Sequence, residues 1–205
     1  MDIGSIIKAP MEDSDWIKKC ALIGLMMLVP IVGVFNLLGW AVECFEVRRN
    51  GGRELPPANF SYLGKGFSLF LSFLPIYIVF IVAVVGLGFV IKMVLGGGEM
   101  TPQKLQMVAT LTSAVMGICG LAMYIAIPAI WYVHLAEGRS WASAQVGSII
   151  RVITKNVGNY FMLVLIFFLA GIIAQLGVIA CGVGLLITSP LSMAIMSYAT
   201  ADFRA

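Results

Sequence analysis

The longest uncharged stretch of the chain is residues 156–201, NVGNYFMLVLIFFLAGIIAQLGVIACGVGLLITSPLSMAIMSYATA. It is more than twice as long as the roughly 20 residues that cross the hydrocarbon core of a bilayer. The sequence Cys181-Gly182-Val183-Gly184 lies in its middle, and glycine accepts the backbone angles that a tight turn requires. The stretch therefore predicts two membrane-spanning helices, residues 156–180 and residues 185–201, joined by a short turn.

Two further uncharged stretches, residues 66–91 and residues 105–133, are each long enough to cross a bilayer. In the whole chain, 60% of the residues are hydrophobic and 11% are charged, whereas a soluble domain carries roughly 25% charged residues. A soluble fold could not cover so apolar a chain with polar surface. We therefore expect residues 1–205 to form a single all-α transmembrane bundle with four or five spans.

The path of the first apolar segment, residues 20–42, is ambiguous. Pro30 and Gly33 lie near its middle, and a proline removes a backbone donor and kinks or breaks a helix. One prediction is therefore a broken or re-entrant segment that returns to the side from which it came. The alternative is a continuous fifth span, because the segment is uncharged and long enough to cross the bilayer.

The distribution of basic residues separates these two topologies. With a continuous first span, eight basic residues lie on one side of the membrane and five on the other. With a re-entrant first segment, eleven of the thirteen lie on one side, and only Lys92 and Lys104 lie opposite. Basic residues are enriched on the cytoplasmic side of membrane proteins. The re-entrant topology is therefore favoured, with residues 1–19 and both termini at the cytoplasmic face of the inner membrane.

Residues 140–155 are predicted to form an amphipathic connector. Their apolar side chains recur at helical spacing from Ala142 onwards, while Arg151 and Lys155 fall on another face. Such a helix would lie in the membrane interface, with Trp141 as an anchor. The alternative is a helix that simply extends the next span out of the bilayer.

Small residues at four-residue intervals predict close helix–helix contacts, because they allow two helix backbones to approach each other in lipid. These contacts can close the bundle of this chain or dock it to another membrane subunit, and the sequence leaves both interpretations open. Prolines and a glycine within the apolar segments are candidate kinks or hinges. The candidate packing residues are Ala109, Ser113, Gly117, Ala170, Ala174 and Ala194, and the candidate kink residues are Pro30, Gly33, Pro128 and Pro190.

The sequence predicts no catalytic residues, no metal site and no cofactor. Its Ser, His and Asp residues are too scattered to indicate a catalytic triad, and its four cysteines lack C-x-x-C spacing. His134, the only histidine, lies at the end of a predicted span, where an amphipathic ring suits the interface. A ligand or proton-relay role is the alternative. The formal charge of +3 comes from loop residues and indicates no nucleic-acid-binding surface.

Two glutamates follow the end of the first apolar segment. Glu43 and Glu46 are three residues apart and share one helical face beside Arg48 and Arg49. This arrangement predicts a surface ion-pair cluster rather than an ion path. No charged residue lies in the middle of any predicted span, which argues against an ion-coupled pump.

Two resemblances rest on glycines, prolines and aromatic residues. The matching features are Trp16-Ile17-Lys18-Lys19, Gly24, Pro30, Gly39-Trp40, Arg48-Arg49, Gly52, Leu55-Pro56, Phe60 and Gly66, and in the C-terminal half Gly138, Ser143-Ala144, Asn156, Gly182-Val183-Gly184, Pro190 and Tyr198. The first set resembles an uncharacterised family of prokaryotic multi-pass membrane proteins, a domain of unknown function. The second is similar in layout to the membrane domain associated with glycerophosphodiester phosphodiesterases. Both resemblances imply a helical membrane domain and no established activity, since that phosphodiesterase is a separate soluble barrel.

These features together predict a non-enzymatic integral membrane protein. We expect it to act as a subunit, scaffold or assembly factor of a membrane complex. Its expected partners are the lipid bilayer and either other membrane subunits or further copies of itself. The alternative is a small channel or transporter for a lipid or an uncharged solute, because broken helices occur in transporters.

Overall fold

The computed structural model describes residues 2–95, 101–138, 146–179 and 182–203. Within these ranges all the regular structure is helical. The α-helices are, in chain order, α1 (Ile3–Lys8), α2 (Trp16–Met26), α3 (Val32–Arg49), α4 (Leu63–Leu95), α5 (Pro102–Glu137), α6 (Val146–Lys155), α7 (Val157–Ile179) and α8 (Leu185–Asp202). A 3₁₀ turn (Ala9–Glu12) follows α1 directly.

Three of these helices are long and apolar enough to cross a membrane. They are Leu63–Ile91 in α4, Pro102–Glu137 in α5 and Val157–Ile179 in α7. The first two contain the predicted spans 66–91 and 105–133, extended by a few residues at their ends, whereas Val157–Ile179 lies within the predicted span 156–180. The fourth predicted span corresponds to α8, which is not among the three and which contains Asp202 in its last turn.

The helix α8 lies at the centre of the bundle, packed against α2, α3 and α7. Five of its side chains, Ala194, Ile195, Ser197, Tyr198 and Ala199, are fully buried. A helix with so many neighbours is stabilised by van der Waals contact along several faces, which in lipid replaces the hydrophobic effect as the source of packing energy.

Small residues allow α7 and α8 to pack as a tight antiparallel pair. Ala170 is fully buried, and the Thr188 hydroxyl donates a hydrogen bond to the Ala174 carbonyl at 3.0 Å. A side chain at Gly177 would overlap the α8 backbone at Leu185. The predicted packing residues of the C-terminal half therefore lie in contacts within this chain.

The chain between α2 and α3 turns at Pro30, which has no backbone N–H with which to continue α2. The Val32 N–H donates to the Pro30 carbonyl at 2.7 Å, which closes a three-residue turn. Its central residue, Ile31, has φ 66° and ψ −60°, the strained form of the γ-turn. A β-branched residue at positive φ is uncommon, because its side chain crowds the backbone.

The helices α2 and α3 run in opposite directions. Near the turn, Asn36 of α3 donates to the Met26 sulfur of α2 at 3.5 Å. At the other end, Lys19 of α2 donates to the carbonyl of Leu55, which follows α3, at 2.7 Å. The segment from Trp16 to Leu55 therefore leaves one end of the bundle and returns to the same end.

Two glycines allow α3 and α4 to cross at the backbone. A Cβ at Gly39 would overlap the carbonyl of Tyr62, and one at Gly66 would overlap the carbonyl of Phe35. The Phe35 ring packs edge-on against Phe70 of α4, with 5.3 Å between ring centroids. The crossing therefore requires glycine at both positions.

Of the predicted kink positions, Pro30 lies in the turn before α3, and Gly33 lies in the first turn of α3, against the backbone of Met26. Pro128 and Pro190 do not end a helix: each is buried inside a continuous one. Proline within a membrane helix is tolerated because neighbouring groups satisfy the freed carbonyl.

The ion pairs formed by the described residues cluster where α3, α5 and α8 end and α4 begins, which we call the charged end. Arg48 donates to Asp202 at 2.8 and 3.1 Å and joins α3 to α8. Arg49 donates to the Ala136 carbonyl at 3.2 Å and joins α3 to α5. Three helices therefore finish at one level of the molecule.

The remote halves of α4 and α5 project away from the charged end. We call residues 77–91 of α4 and residues 102–125 of α5 the distal arm. None of their side chains is fully buried. The two helices pack on each other. At the inner end of this arm, the Tyr124 ring contacts Phe168 and the Ile125 carbonyl accepts a hydrogen bond from Tyr160, both of α7, whereas most side chains nearer the tip are exposed.

Candidate functional site

A polar cleft opens at the charged end between α3, α4 and α5. Its volume is about 290 Å³. The three helices position its walls because the crossing at Gly39 and Gly66 brings the start of α4 beside the end of α3. The lining residues are Val42, Phe45, Glu46, Lys65, Ser68, His134, Leu135 and Gly138.

One lysine in the cleft forms ion pairs with two glutamates. Lys65 Nζ lies 2.6 Å from a Glu43 carboxylate oxygen and 2.7 Å from a Glu46 carboxylate oxygen. The sequence predicted a surface ion-pair cluster for these glutamates beside Arg48 and Arg49; the structure shows such a cluster, with Lys65 of α4 as the basic partner. Arg48 lies two residues after Glu46 on α3, and positions two residues apart do not share a helix face. Arg48 therefore points towards α8, whereas both glutamates face α4.

The ion pair between Arg48 and Asp202 joins α3 to α8. A hydrogen bond from Arg48 to the Asp202 carboxylate raises the pKa of the guanidinium above its ordinary value. The guanidinium also lies over the Tyr198 ring, 5.4 Å from its centroid. Arg48 therefore holds α3, one wall of the cleft, against α8, and its own side chain does not line the cleft.

His134 occupies the inner wall of the cleft. Its Nδ1 lies 2.7 Å from the Ser72 hydroxyl oxygen, and that hydroxyl also lies 3.2 Å from the Ser68 carbonyl. The other ring nitrogen makes no hydrogen bond within the described chain. This half-buried site differs from simple packing at the interface, because the imidazole holds a specific polar partner.

The Ser72–His134 pair has the spacing of a nucleophile and its base, but it cannot reach a substrate in this conformation. Ser72 is fully buried and does not line the cleft. Catalysis by a serine requires access for the reacting carbonyl. The pair therefore joins α4 to α5 and fixes the orientation of the imidazole.

Two apolar grooves flank α5 further from the charged end. One, of about 370 Å³, lies between α4, α5 and α6, and the other, of about 390 Å³, lies between α5, α6 and α7. The amphipathic helix α6 contributes Ile149 to the first and Ile153 to the second. The predicted connector therefore lies across α5; its residues 140–145 fall outside the described ranges.

The predicted packing residues of α5 lie on an exposed surface. Ala109, Ser113 and Gly117 belong to the distal arm, and a Cβ at Gly117 would meet no atom within 4 Å. Within the described chain they therefore close no contact. Ala170 and Ala194, by contrast, are fully buried in the bundle.

Sequence reasoning missed two polar residues on the same surface. Gln106 and Thr110 are exposed, and with Ser113 and Gly117 they follow intervals of four, three and four residues. This interval pattern places all four on one helix face. The sequence does contain a signal for this face, because glutamine is rare in lipid-facing positions. A pattern defined by small residues alone does not include Gln106 or Thr110.

The described residues contain no group of three or more His, Cys, Asp or Glu residues that could hold a metal ion. Cys20 and Cys44 are free and fully buried, and Cys119 is a free, half-buried cysteine of α5. Cys181 lies outside the described residues.

The fold and its charged end define an all-helical membrane protein. The chain belongs to the family described as "Protein of unknown function (DUF4013)", whose model matches residues 22–183. Comparison with curated proteins and with solved structures returns no match. The family match confirms the resemblance of the N-terminal half to an uncharacterised family. No finding supports the likeness of the C-terminal half to the phosphodiesterase-associated membrane domain.

Proposed function

We propose that this protein is a non-catalytic subunit of a membrane complex that assembles through one face of α5. We call Gln106, Thr110, Ser113 and Gly117 the α5 outer face. The observation that carries the proposal is the presence of exposed polar and small side chains on a helix that is able to span a membrane.

The α5 outer face lies opposite the contact between α4 and α5. The half-buried positions of this part of α5 are Val108, Thr112, Val115 and Cys119, and because α4 packs beside α5 we infer that they face it. Each is two residues after a member of the outer face, and two residues correspond to about 200° around a helix. The polar residues therefore point away from the chain's own bundle.

The exposed surface of α4 provides a contrast within the same arm. Its most exposed side chains include Val79, Val82, Val85 and Phe89, which suit contact with lipid tails. Polar side chains in hydrocarbon instead favour partners that can accept and donate hydrogen bonds, and small residues allow a helix to approach closely. The two helices of the arm therefore differ in the surroundings that they favour.

The partner that we propose for this face is a second copy of the chain. The Gln106 amide both donates and accepts, and so does the Ser113 hydroxyl; the Thr110 hydroxyl donates to the Gln106 carbonyl at 2.9 Å and can still accept. The face has no charge, so two copies related by a two-fold axis would meet without repulsion. The same residues can then satisfy each other across the interface.

The proposal includes the topology of the chain. We infer that α4, α5, α7 and α8 cross the membrane and that α2 and α3 form a re-entrant hairpin. The Lys19–Leu55 hydrogen bond supports the return of the hairpin, and the Arg48–Asp202 pair supports an α8 that ends at the charged end. The excess of basic residues there supports a cytoplasmic orientation in the inner membrane.

The transport alternative has less support from the cavities. The polar cleft lies at the charged end, and the two grooves open beside α5. None of these three cavities is lined by Pro30 or its neighbours in the turn between α2 and α3. A subunit role therefore fits the geometry better.

Disulfide cross-linking in native membranes tests the proposal. In a variant without native cysteines, Ser113→Cys is expected to form a dimer of twice the monomer mass under mild oxidation. Ile118→Cys is the matched control, because Ile118 is 70% exposed on another face of α5 at a similar position along the helix.

A second pair of variants tests the small residue of the face. Gly117→Leu should abolish the Ser113→Cys dimer, whereas Gly88→Leu, at an equally open glycine of α4, should leave it intact. Equal cross-linking at Ser113 and Ile118, or none at either, would contradict assembly through this face. A cross-linked product of another mass would identify a different subunit as the partner.

A further inference from the structure

The polar cleft contains hydrogen-bonding groups that the described chain does not use. The Ser68 hydroxyl and His134 Nε2 make no hydrogen bond with described residues, and Lys65 uses two of its three N–H donors on Glu43 and Glu46. These groups surround a volume of about 290 Å³ that opens at the charged end. Such convergence of polar groups in one cavity is typical of a binding site.

The acidic side of the cleft favours a cation with N–H groups. Glu43 and Glu46 share a single lysine, and the Glu46 side chain is 46% exposed, so its carboxylate has lone pairs available. The C-terminal ends of α3 and α5 also lie beside the cleft. The unpaired carbonyls of a helix end carry a partial negative charge that stabilises a nearby cation.

The basic side of the cleft favours an anion. Arg49 is exposed beside the opening: its guanidinium lies over the ring of the lining residue Phe45, 5.6 Å from the centroid, and donates one hydrogen bond to the Ala136 carbonyl. Its remaining N–H groups make no hydrogen bond with described residues, and a guanidinium matches the geometry of a phosphate. Lys65 adds a second positive charge to the same opening.

Among the described residues, the charged groups around the cleft are Glu43, Glu46, Arg49 and Lys65, whose charges sum to zero, and Glu137, which is paired with Arg151. A zwitterion of matching polarity is therefore the ligand that this set accommodates without leaving a charge unpaired. We propose that the cleft binds a phosphoethanolamine group, with its ammonium on Glu46 and its phosphate between Arg49 and Lys65. Ser68 and His134 then contribute hydrogen bonds to the phosphate oxygens.

The position of the cleft makes an aminophospholipid the natural source of this group. Two of its walls, α4 and α5, are long and apolar enough to cross a membrane, and the cleft lies where both have their charged ends. A choline headgroup carries no N–H donor and would not pair with Glu46 in the same way. The site therefore distinguishes ethanolamine from choline.

Lipid retention measured by native mass spectrometry tests the proposal. The full-length protein is exchanged into mixed micelles that contain equal amounts of dioleoyl phosphatidylethanolamine and dioleoyl phosphatidylcholine. The wild type is expected to retain the ethanolamine lipid about tenfold better, the effect of one charge-assisted hydrogen bond. Glu46→Gln should abolish that preference, and Glu54→Gln, an exposed glutamate outside the cleft, should preserve it.

Two further measurements keep the test decisive. Ser68→Ala leaves the ion pairs intact and should weaken retention of the ethanolamine lipid, even if Glu46→Gln fails to fold. Soluble O-phosphoethanolamine at millimolar concentration should displace the lipid if the headgroup alone supplies the binding, and retention in its presence would show that the acyl chains contribute. Equal retention of both lipids by the wild type, or an unchanged preference in Glu46→Gln, would overturn the proposal.

Discussion

At the residue scale, the buried carboxylate of Asp13 accepts three hydrogen bonds. They come from Lys19 and from the Leu55 N–H, both at 2.7 Å, and from the Asp15 N–H at 2.8 Å. Burial raises the pKa of this carboxyl, but the hydrogen bonds from Lys19, Asp15 and Leu55 outweigh it and hold the pKa below its ordinary value of 3.8. One side chain thus fastens the N-terminal segment to the loop after α3.

Asp13→Asn should lower the stability of the protein by about 2 kcal/mol at neutral pH, since it removes a charged acceptor of three hydrogen bonds. Because the folded pKa is depressed, the stabilisation by Asp13 is complete above about pH 4 and is lost as the pH falls through the folded pKa. Thermal unfolding in detergent should therefore show a difference between wild type and variant that shrinks in acid.

Asp15→Asn is the control for this prediction, because the Asp15 side chain is exposed and does not cap α2. It should leave the unfolding temperature nearly unchanged at every pH. A difference between wild type and Asp13→Asn that stays constant down to pH 2 would contradict the assignment.

Some residue roles were readable from the sequence and others were not. Pro30 signalled a break because proline lacks a backbone donor. Ile31 gave no such signal, since positive φ is expected at glycine or asparagine and not at a β-branched residue. Likewise, the partner of Glu43 and Glu46 depended on how α4 crosses α3, which no local pattern encodes.

At the element scale, the long apolar helices were predictable because lipid excludes charge. The uncharged stretches coincide with α4, α5, α7 and α8 to within a few residues, and Lys or Glu side chains lie near most of their ends. The contacts between helices were less predictable. Gly39 and Gly66 were noticed only as features of a family resemblance, and their meeting at one crossing follows from the three-dimensional path of the chain.

Gly39→Ala should destabilise the bundle by at least about 2 kcal/mol, because the added methyl group overlaps the Tyr62 carbonyl and forces α3 and α4 apart. The measurement is denaturant unfolding in detergent micelles. Gly64→Ala is a matched control, since Gly64 also lies in a helix of this crossing but has no atom within 4 Å of an added Cβ.

The control should be neutral or slightly stabilising, as alanine favours the helix more than glycine does. Equal stability of Gly39→Ala and the wild type would mean that the two helices do not approach as closely as the structure shows.

At the scale of the whole molecule, we propose that the charged end, with both ends of the α2–α3 hairpin, lies on a single side of the membrane. The hydrogen bond between Lys19 and Leu55 brings the start of α2 and the loop after α3 to the same place. This contact comes from the fold and the basic-residue count comes from the sequence, and both indicate the same topology. The cleft and the proposed ethanolamine site would then face the cytoplasm, and the link between α4 and α5 would face the opposite side.

Cysteine accessibility in intact cells tests this claim most directly. In a variant without native cysteines, Ser5→Cys and Gly97→Cys are labelled separately with a membrane-impermeant maleimide. We expect Gly97→Cys to react from outside the cell and Ser5→Cys to react only after the membrane is permeabilised. Labelling of both positions from the same side would contradict the re-entrant hairpin and would require α2 and α3 to cross the membrane as a single span.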